Sequence, residues 1–176
     1  MHFSAGTWQL IATGCGVIAA FAGVRVSRRG FKEQNKSYKE SLSLELVMKL
    51  DDRFLSERFV KIRSDAAQAL LAQQSEDPVQ AEEVFDFFET IGTFVKRDSL
   101  DADLAYNFFF HWINLYWNAG KDYILKKRKG SGALWSDFEF LYSEVLKVEK
   151  QKDPKSLDIT PSQQRIEEQL QEEIQN

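Results

Sequence analysis

Few side chains in this sequence are suited to chemistry. The 176 residues include one Cys and two His, and His111 is the histidine that lies within an aromatic-rich stretch. A catalytic histidine needs an orienting group and a reacting partner within hydrogen-bond reach. In the sequence, no second His nearby, no Glu-x-x-His pair and no Ser or Cys nucleophile motif accompanies His111. We therefore predict no catalytic residue, no cofactor and no metal site, and we expect His111 at the exposed edge of a helix.

Arg63 is the second candidate, because the helical pattern puts its charge in the middle of an apolar face. Its neighbours on that face are all apolar: Phe59, Ala66, Ala67 and Leu70. A buried guanidinium is costly unless it pairs with a carboxylate or its head reaches water. Glu89 is a candidate partner, since it borders the apolar face of the following helix beside Phe85 and Phe88. The pattern favours an internal ion pair over a substrate-binding arginine.

The chain that carries these residues begins with an uncharged stretch. Residues 1–24 contain no Asp, Glu, Lys or Arg, and residues 25–39 contain six basic residues against one acidic residue, a net charge of +5. Since the whole chain carries −4, residues 40–176 carry −9. The stretch from Phe3 to Val24 is long enough to cross a bilayer, for which a helix needs about 20 residues. The basic residues after it form a collar that would face acidic lipid head groups: Arg25, Arg28, Arg29 and Lys32.

This pattern predicts a single-pass transmembrane helix over residues 1–26, with the N-terminus outside and the remainder in the cytoplasm. A cleaved signal peptide fits less well, because arginines follow the apolar stretch too closely. A lipoprotein site at Cys15 also fits less well, because Ala12 is a weak apolar residue three positions earlier and the apolar segment before Cys15 is too short. Small residues spaced four apart share one face of this helix: Ala12, Gly16 and Ala20. Such a face supports self-association in lipid. Small residues are also common in membrane helices generally, so both explanations of this face stay open.

The rest of the chain predicts a bundle of four to five helices. A polar neck covers about residues 30–50, and the pair Asp51-Asp52 ends it. Three helices then follow, with starts at Ser56, Asp77-Pro78 and Asp101 and ends near Gln73, Arg97 and Lys127. A further helix covers about residues 133–151. The helix from Asp101 carries apolar residues over about 240° of its circumference, far more than the stripe of a surface helix, which predicts a central position.

The predicted domain organisation has four parts. An anchor covers residues 1–26, a basic neck 27–55, a helical bundle 56–151, and a polar linker with a short terminal helix 152–176. The terminal helix has three apolar residues, Ile166, Leu170 and Ile174. Such a short polar helix is marginal on its own. We therefore expect it either to dock weakly on a partner or to fray.

Three segments together resemble a known family. They are KLDDRFLSERFVKIRSDAAQALL at residues 49–71, EVFDFFETIGTFVKRDSLDADLAYNFFFHWINLYW at 83–117, and LWSDFEFLYSEVL at 134–146. With the anchor and its basic collar, they resemble an uncharacterised bacterial family of membrane-anchored all-helical domains, a domain of unknown function of the DUF4760 type. The resemblance implies a single-pass protein of the bacterial inner membrane. It implies no activity.

The leading hypothesis is therefore a membrane-anchored cytoplasmic interaction or regulatory module. Its partners would be membrane lipid, an unknown protein, and a second copy through the transmembrane helix. The charge of −9 over residues 40–176 argues against nucleic acid. The alternative is a membrane-bound, hydrolase-like enzyme with a polar pocket around Arg63, Glu89 and His111. Convergence of those three side chains on an accessible cavity would favour the enzyme.

Overall fold

A computed structural model of the chain describes residues 34–72, 77–154 and 160–175. The chain divides into two compact units, Met1–Ser41 and Leu42–Asn176. In the first unit, the described residues 34–41 are helical, and Lys36 pairs with Glu40 one turn later at 3.7 Å. The candidate site lies in the second unit.

The second unit is built from helices. Helical residues 42–54 are named α1 here. The helices that follow are α2 (Glu57–Leu71), a 3₁₀ turn (Val79–Ala81), α3 (Glu82–Lys96), α4 (Ala102–Arg128), α5 (Ser136–Lys152) and α6 (Gln163–Gln175). Every regular element in the described part of the chain is helical, which confirms the predicted all-α class.

Two predicted helix starts are set by side-chain caps. The Ser56 hydroxyl accepts a hydrogen bond from the Phe59 amide at 3.4 Å, and the Asp101 carboxylate accepts one from the Asp103 amide at 2.7 Å. Both bonds satisfy amides that have no partner within their own helix. α1 differs from the prediction, because it continues past Asp51-Asp52 to residue 54. Phe54 is completely buried, and its packing outweighs the low helix propensity of two aspartates.

The start of α5 also differs from the prediction. It begins at Ser136, after Trp135, whose φ of 53° lies in the left-handed region that bulky residues seldom adopt. Two hydrogen bonds hold Trp135 there: its indole N–H donates to Asp86 at 2.8 Å, and its carbonyl accepts from Arg128 at 2.8 Å. Trp135 provides no side-chain cap, so α5 needs a cap from elsewhere in the fold.

Aromatic rings fill the core. Phe54 lies at its centre, with ring centroids 4.9–6.0 Å from those of five residues: Phe59, Phe87, Phe88, Phe109 and Trp112. α4 packs against α3, α5 and α6, and it buries ten of its residues. α3 and α5 are in close contact at Gly92, where an added Cβ would lie 2.0 Å from the carbonyl oxygen of Asp137.

The structure corrects the membrane prediction. Among residues 34–72, 77–154 and 160–175, no helix has both the length and the apolar character needed to cross a bilayer. α4 has 27 residues, but asparagines and His111 interrupt its apolar surface, and three basic residues end it. Such groups are costly in hydrocarbon.

The segment to which the membrane prediction applied lies outside the described residues. It comprises residues 1–26, with the small-residue face at Ala12, Gly16 and Ala20, and the collar at Arg25, Arg28, Arg29 and Lys32. The prediction depended on the absence of charged residues from this segment. A spanning helix needs few charges, but an uncharged segment need not span a membrane. The fold class of the described residues is all-α, and none of their helices could span a membrane. The single-pass placement in a bacterial inner membrane, with the N-terminus outside, is corrected with it.

Candidate functional site

α2 places Arg63 inside the protein. The helix buries one face, with Phe59, Ala66, Ala67 and Leu70 on the same side as the arginine. The Arg63 side chain is only 6 % exposed. A guanidinium at this depth needs both a counter-charge and hydrogen-bond acceptors, because each unmet group costs free energy.

Two aromatic rings flank the guanidinium. Its central carbon lies 4.3 Å from the ring centroid of Phe54 and 5.6 Å from that of Trp112. Cations are attracted to the faces of aromatic rings, and the attraction grows when water is excluded. The rings therefore stabilise the charge in part, but they cannot accept the hydrogen bonds of the guanidinium as an oxygen would.

The counter-charge comes from α6. Glu173 is 8 % exposed, and its Oε2 lies 3.6 Å from Nη1 of Arg63. Both carboxylate oxygens face donors on α4: Oε1 accepts from the indole N–H of Trp112 at 3.2 Å, and Oε2 accepts from the hydroxyl of Tyr116 at 3.3 Å. α6 is held on this surface by the buried side chains of Ile166 and Leu170. The carboxylate is thus fixed mainly by α4, and it stops short of hydrogen-bond distance to Arg63.

The pairing is incomplete. Within residues 34–72, 77–154 and 160–175, no hydrogen-bond acceptor reaches Nε or Nη1 of Arg63. The Tyr116 hydroxyl also lies 3.2 Å from the Arg63 carbonyl, so its single proton is shared between that oxygen and Glu173. Burial, followed by the nearby Glu173 charge, raises the pKa of Tyr116 well above its ordinary value, so this hydroxyl stays a donor.

Glu89 contacts a different part of the fold. Its Oε2 accepts a hydrogen bond from the Phe138 amide at 2.6 Å, which supplies the cap that Trp135 does not give to α5. Burial raises the pKa of Glu89, and the Phe138 hydrogen bond opposes that rise. The carboxylate that faces Arg63 is therefore Glu173, and Glu89 stabilises the α3–α5 contact.

His111 lies at the surface of the protein. It is exposed on α4, and its ring contacts the Trp112 ring edge-on, with centroids 5.5 Å apart. The three residues of the predicted pocket differ in burial and role: Arg63 is buried under α6, Glu89 is at the start of α5, and His111 is at the surface. Arg63 and His111 share one neighbour, the Trp112 ring. The small residues and the basic collar that completed the predicted site residues lie outside the described residues.

Sequence reasoning missed Glu173, and it treated Trp112 and Tyr116 as core residues only. A signal for Glu173 was present in the spacing of α6. At about 100° per residue, Glu173 falls on the same side as Ile166, Leu170 and Ile174, so it is an acidic residue on an apolar face. An acidic residue on one apolar face and a basic residue on another are natural partners.

Metal-binding clusters and surface clefts in the described residues give weaker candidates for a functional site. No cluster of three or more His, Cys, Asp or Glu side chains there could hold a metal ion. A cleft of about 460 Å³ lies beside the end of α2, lined by Asp65, Gln68, Ala69, Ala72, Asp77 and Gln80. Its Asp77 carboxylate is already paired with Lys126 at 2.6 Å. The Arg63 environment remains the best-defined candidate.

Comparison with known proteins identifies the family. The model for the domain of unknown function DUF4760 matches residues 10–145, which is more than half of the chain. No curated protein and no solved structure matches the chain. The match includes Arg63, Trp112 and Tyr116, and α6 with Glu173 follows the matched residues. The bacterial and membrane-anchored character that the resemblance implied is not part of the match. The chain belongs to the DUF4760 family, as its aromatic and acidic segments indicated.

Proposed function

We propose that this domain is a non-enzymatic interaction module that receives an acidic amphipathic helix on the surface formed by α2 and α4. In the chain itself, α6 occupies that surface. The observation that carries the proposal is the incomplete pair beneath α6, in which Glu173 lies 3.6 Å from Arg63 and two guanidinium nitrogens have no acceptor in the described residues.

α6 has the features of a replaceable occupant. It has 13 residues and ends at Gln175, and isolated helices of this length are marginal in water. Its anchors are Ile166, Leu170 and Glu173, spaced i, i+4 and i+7. That spacing is how amphipathic helices bind hydrophobic grooves on other proteins. A partner helix with the same anchors would compete with α6, and the competition would regulate access to the surface.

The geometry of the three candidate residues does not support the enzyme hypothesis. It required Arg63, Glu89 and His111 to meet at one accessible cavity. Arg63 is buried, Glu89 caps α5, and His111 is exposed at the surface, although its ring contacts the Trp112 ring that also flanks Arg63. Arg63 is also shielded from solvent by α6. A buried arginine between two rings and a carboxylate fits recognition of a charged side chain better than turnover of a substrate.

A labelled peptide of residues 160–176 tests the proposal on the full chain. In the unmodified protein, the tethered α6 competes at an effective concentration in the millimolar range, so the free peptide should bind weakly. Leu170→Asp removes a buried anchor and should release α6. The peptide should then bind at least tenfold tighter in fluorescence anisotropy, because the surface is no longer occupied.

The matched control is Gln171→Asp, which adds the same charge at an exposed position of α6. It should bind the peptide as weakly as the unmodified chain does. Ile166→Asp removes the other buried anchor and gives a second release variant, should Leu170→Asp lose its helical circular dichroism. Equal peptide affinity for the unmodified, control and release variants, or no binding to a folded release variant, would overturn the proposal.

A further inference from the structure

We infer that the partner helix carries a carboxylate seven residues after its first apolar anchor and three after its second, and that Arg63 recognises this carboxylate directly. This inference rests on the proposed function, and it names the chemistry of the partner: an acidic amphipathic helix with two large apolar residues spaced i, i+4 and an acidic residue at i+7. In this chain α6 has the same pattern, with Ile166, Leu170 and Glu173 at the three positions. It therefore occupies the site that the partner helix would bind.

Arg63 has hydrogen-bond donors without acceptors. Its side chain is more than nine-tenths buried, and neither Nε nor Nη1 has an acceptor among the described residues. Only about one buried polar group in ten lacks a hydrogen-bond partner, so two on one side chain need an explanation. A ligand whose carboxylate reaches the guanidinium would remove that penalty, and hydrogen bonds between charged groups are about twice as strong as neutral ones.

The carboxylate of α6 binds mainly to side chains other than Arg63. Both oxygens of Glu173 accept from Trp112 and Tyr116 on α4, at 3.2 and 3.3 Å, and both bonds are long. The carboxylate is thereby kept 3.6 Å from Arg63. A partner helix that is not joined to α5 by residues 153–162 can slide or tilt on the surface until its carboxylate meets the guanidinium.

The charge of the α2–α4 surface favours an acidic partner. The surface presents one buried cation, two N–H or O–H donors and a ring of apolar side chains. Within the described part of the chain, no acidic side chain of α2 or α4 forms an ion pair with Arg63. A neutral or basic helix would leave the guanidinium uncompensated, which is a strong penalty against the wrong partner. An acidic residue at the i+7 position is therefore what selects the partner.

The experiment varies the peptide, whose folding is not at issue. Peptides of residues 160–176 with Glu173→Gln or Glu168→Gln are titrated against the full chain carrying Leu170→Asp, in which the surface is open. Glu168 is exposed on α6, so its substitution removes the same charge without touching the site. We expect Glu173→Gln to weaken binding at least tenfold and Glu168→Gln to change it less than threefold.

A second arm tests whether Arg63 is the receptor. The Leu170→Asp chain with Arg63→Met added should bind the unmodified and Glu173→Gln peptides with less than a threefold difference in affinity, because only the Trp112 and Tyr116 donors then distinguish them. Arg63→Lys keeps the charge but loses the planar fork, and should retain part of the preference. Equal binding of both peptides to the Arg63-containing chain would overturn this inference, while the α2–α4 surface would still be a binding site for an amphipathic helix. Absence of binding by every peptide would overturn both.

Discussion

At the scale of single residues, Arg63 shows how a buried charge is kept in an apolar core. The Phe54 and Trp112 rings stabilise the cation, and Glu173 balances its charge, but the hydrogen bonds of the guanidinium are only partly met. Removing one partner from such a pair usually costs more than the pair itself contributes, because the remaining charge stays desolvated. The pair should therefore behave as a coupled unit in mutagenesis.

We expect Glu173→Gln to lower the free energy of unfolding by about 2 kcal/mol, since Arg63 loses the carboxylate that pairs with it in the described part of the chain. The loss is limited because α6 can leave and let water reach the guanidinium. In an Arg63→Met background, the same substitution should cost at least 0.5 kcal/mol less, the lower end of the range for contacting residues. Urea unfolding of the four proteins of this cycle measures the coupling. Additive losses would contradict the pairing.

Asp137 provides a second residue-scale test, through pH. Its Oδ1 accepts from Lys96 at 2.6 Å and its Oδ2 from Thr93 at 2.9 Å, and the Lys96 hydrogen bond is the main reason that the pKa of Asp137 is lowered. A carboxyl whose pKa is lower in the folded state stabilises the fold above its unfolded pKa of about 3.9, and that contribution disappears as the pH falls through the folded value.

We therefore expect Asp137→Asn to cost about 1 kcal/mol at pH 7, a value kept small because Lys96 is half exposed. The difference between the two proteins should shrink as the pH falls from 5 toward about 3. Urea titrations across this range measure it, and Asp122→Asn, at an exposed position of α4, is the control. A difference that stays constant down to the lowest pH would show that the charge of Asp137 does not stabilise the fold.

At the scale of helices, caps and periodicity predicted most of the architecture. Ser56 and Asp101 start α2 and α4 as expected, because an N-cap is a local interaction that neighbouring residues decide. The predictions failed where a distant contact decided the outcome. Burial of Phe54 extends α1 beyond two aspartates, and the contacts of Trp135 delay the start of α5. Neither effect is visible in a window of local sequence.

The contact between α3 and α5 gives an element-scale prediction. At Gly92, an added methyl would lie 2.0 Å from a backbone oxygen of α5, so the two helices would have to separate. We expect Gly92→Ala to destabilise the protein by about 2 to 3 kcal/mol, although alanine favours a helix. Gly132→Ala is the matched control, since no atom lies within 4 Å of its added methyl. Thermal or urea unfolding distinguishes them, and equal stability of the two variants would contradict the close approach.

At the scale of the whole molecule, the sequence could not pair Arg63 with its partner. Glu89 was the nearest acidic residue on an apolar face, and it lies 26 positions from Arg63, whereas Glu173 lies 110 positions away. Periodicity places a residue on a face but does not say which faces meet. The N-terminal prediction failed for a related reason: an uncharged stretch is compatible with a membrane helix, but the described residues contain no such helix.

The same molecule-wide arrangement predicts unequal stability along the chain. α6 adds Ile166 and Leu170 to the hydrophobic core, with Ile174 packed against it, whereas α3 to α5 supply most of the buried side chains of that core and most of its aromatic rings. A helix with so few anchors should open by itself, at a free energy below that of global unfolding.

In amide hydrogen exchange, we expect the α6 amides to exchange at least a hundredfold faster than the most protected amides of α4. Leu170→Asp should abolish protection in α6 and leave α4 protected, whereas Gln171→Asp should leave both unchanged. Joint loss of protection in α6 and α4 in the Leu170→Asp protein would mean that α6 is an integral part of the core, and a detachable occupant of the α2–α4 surface would then be ruled out.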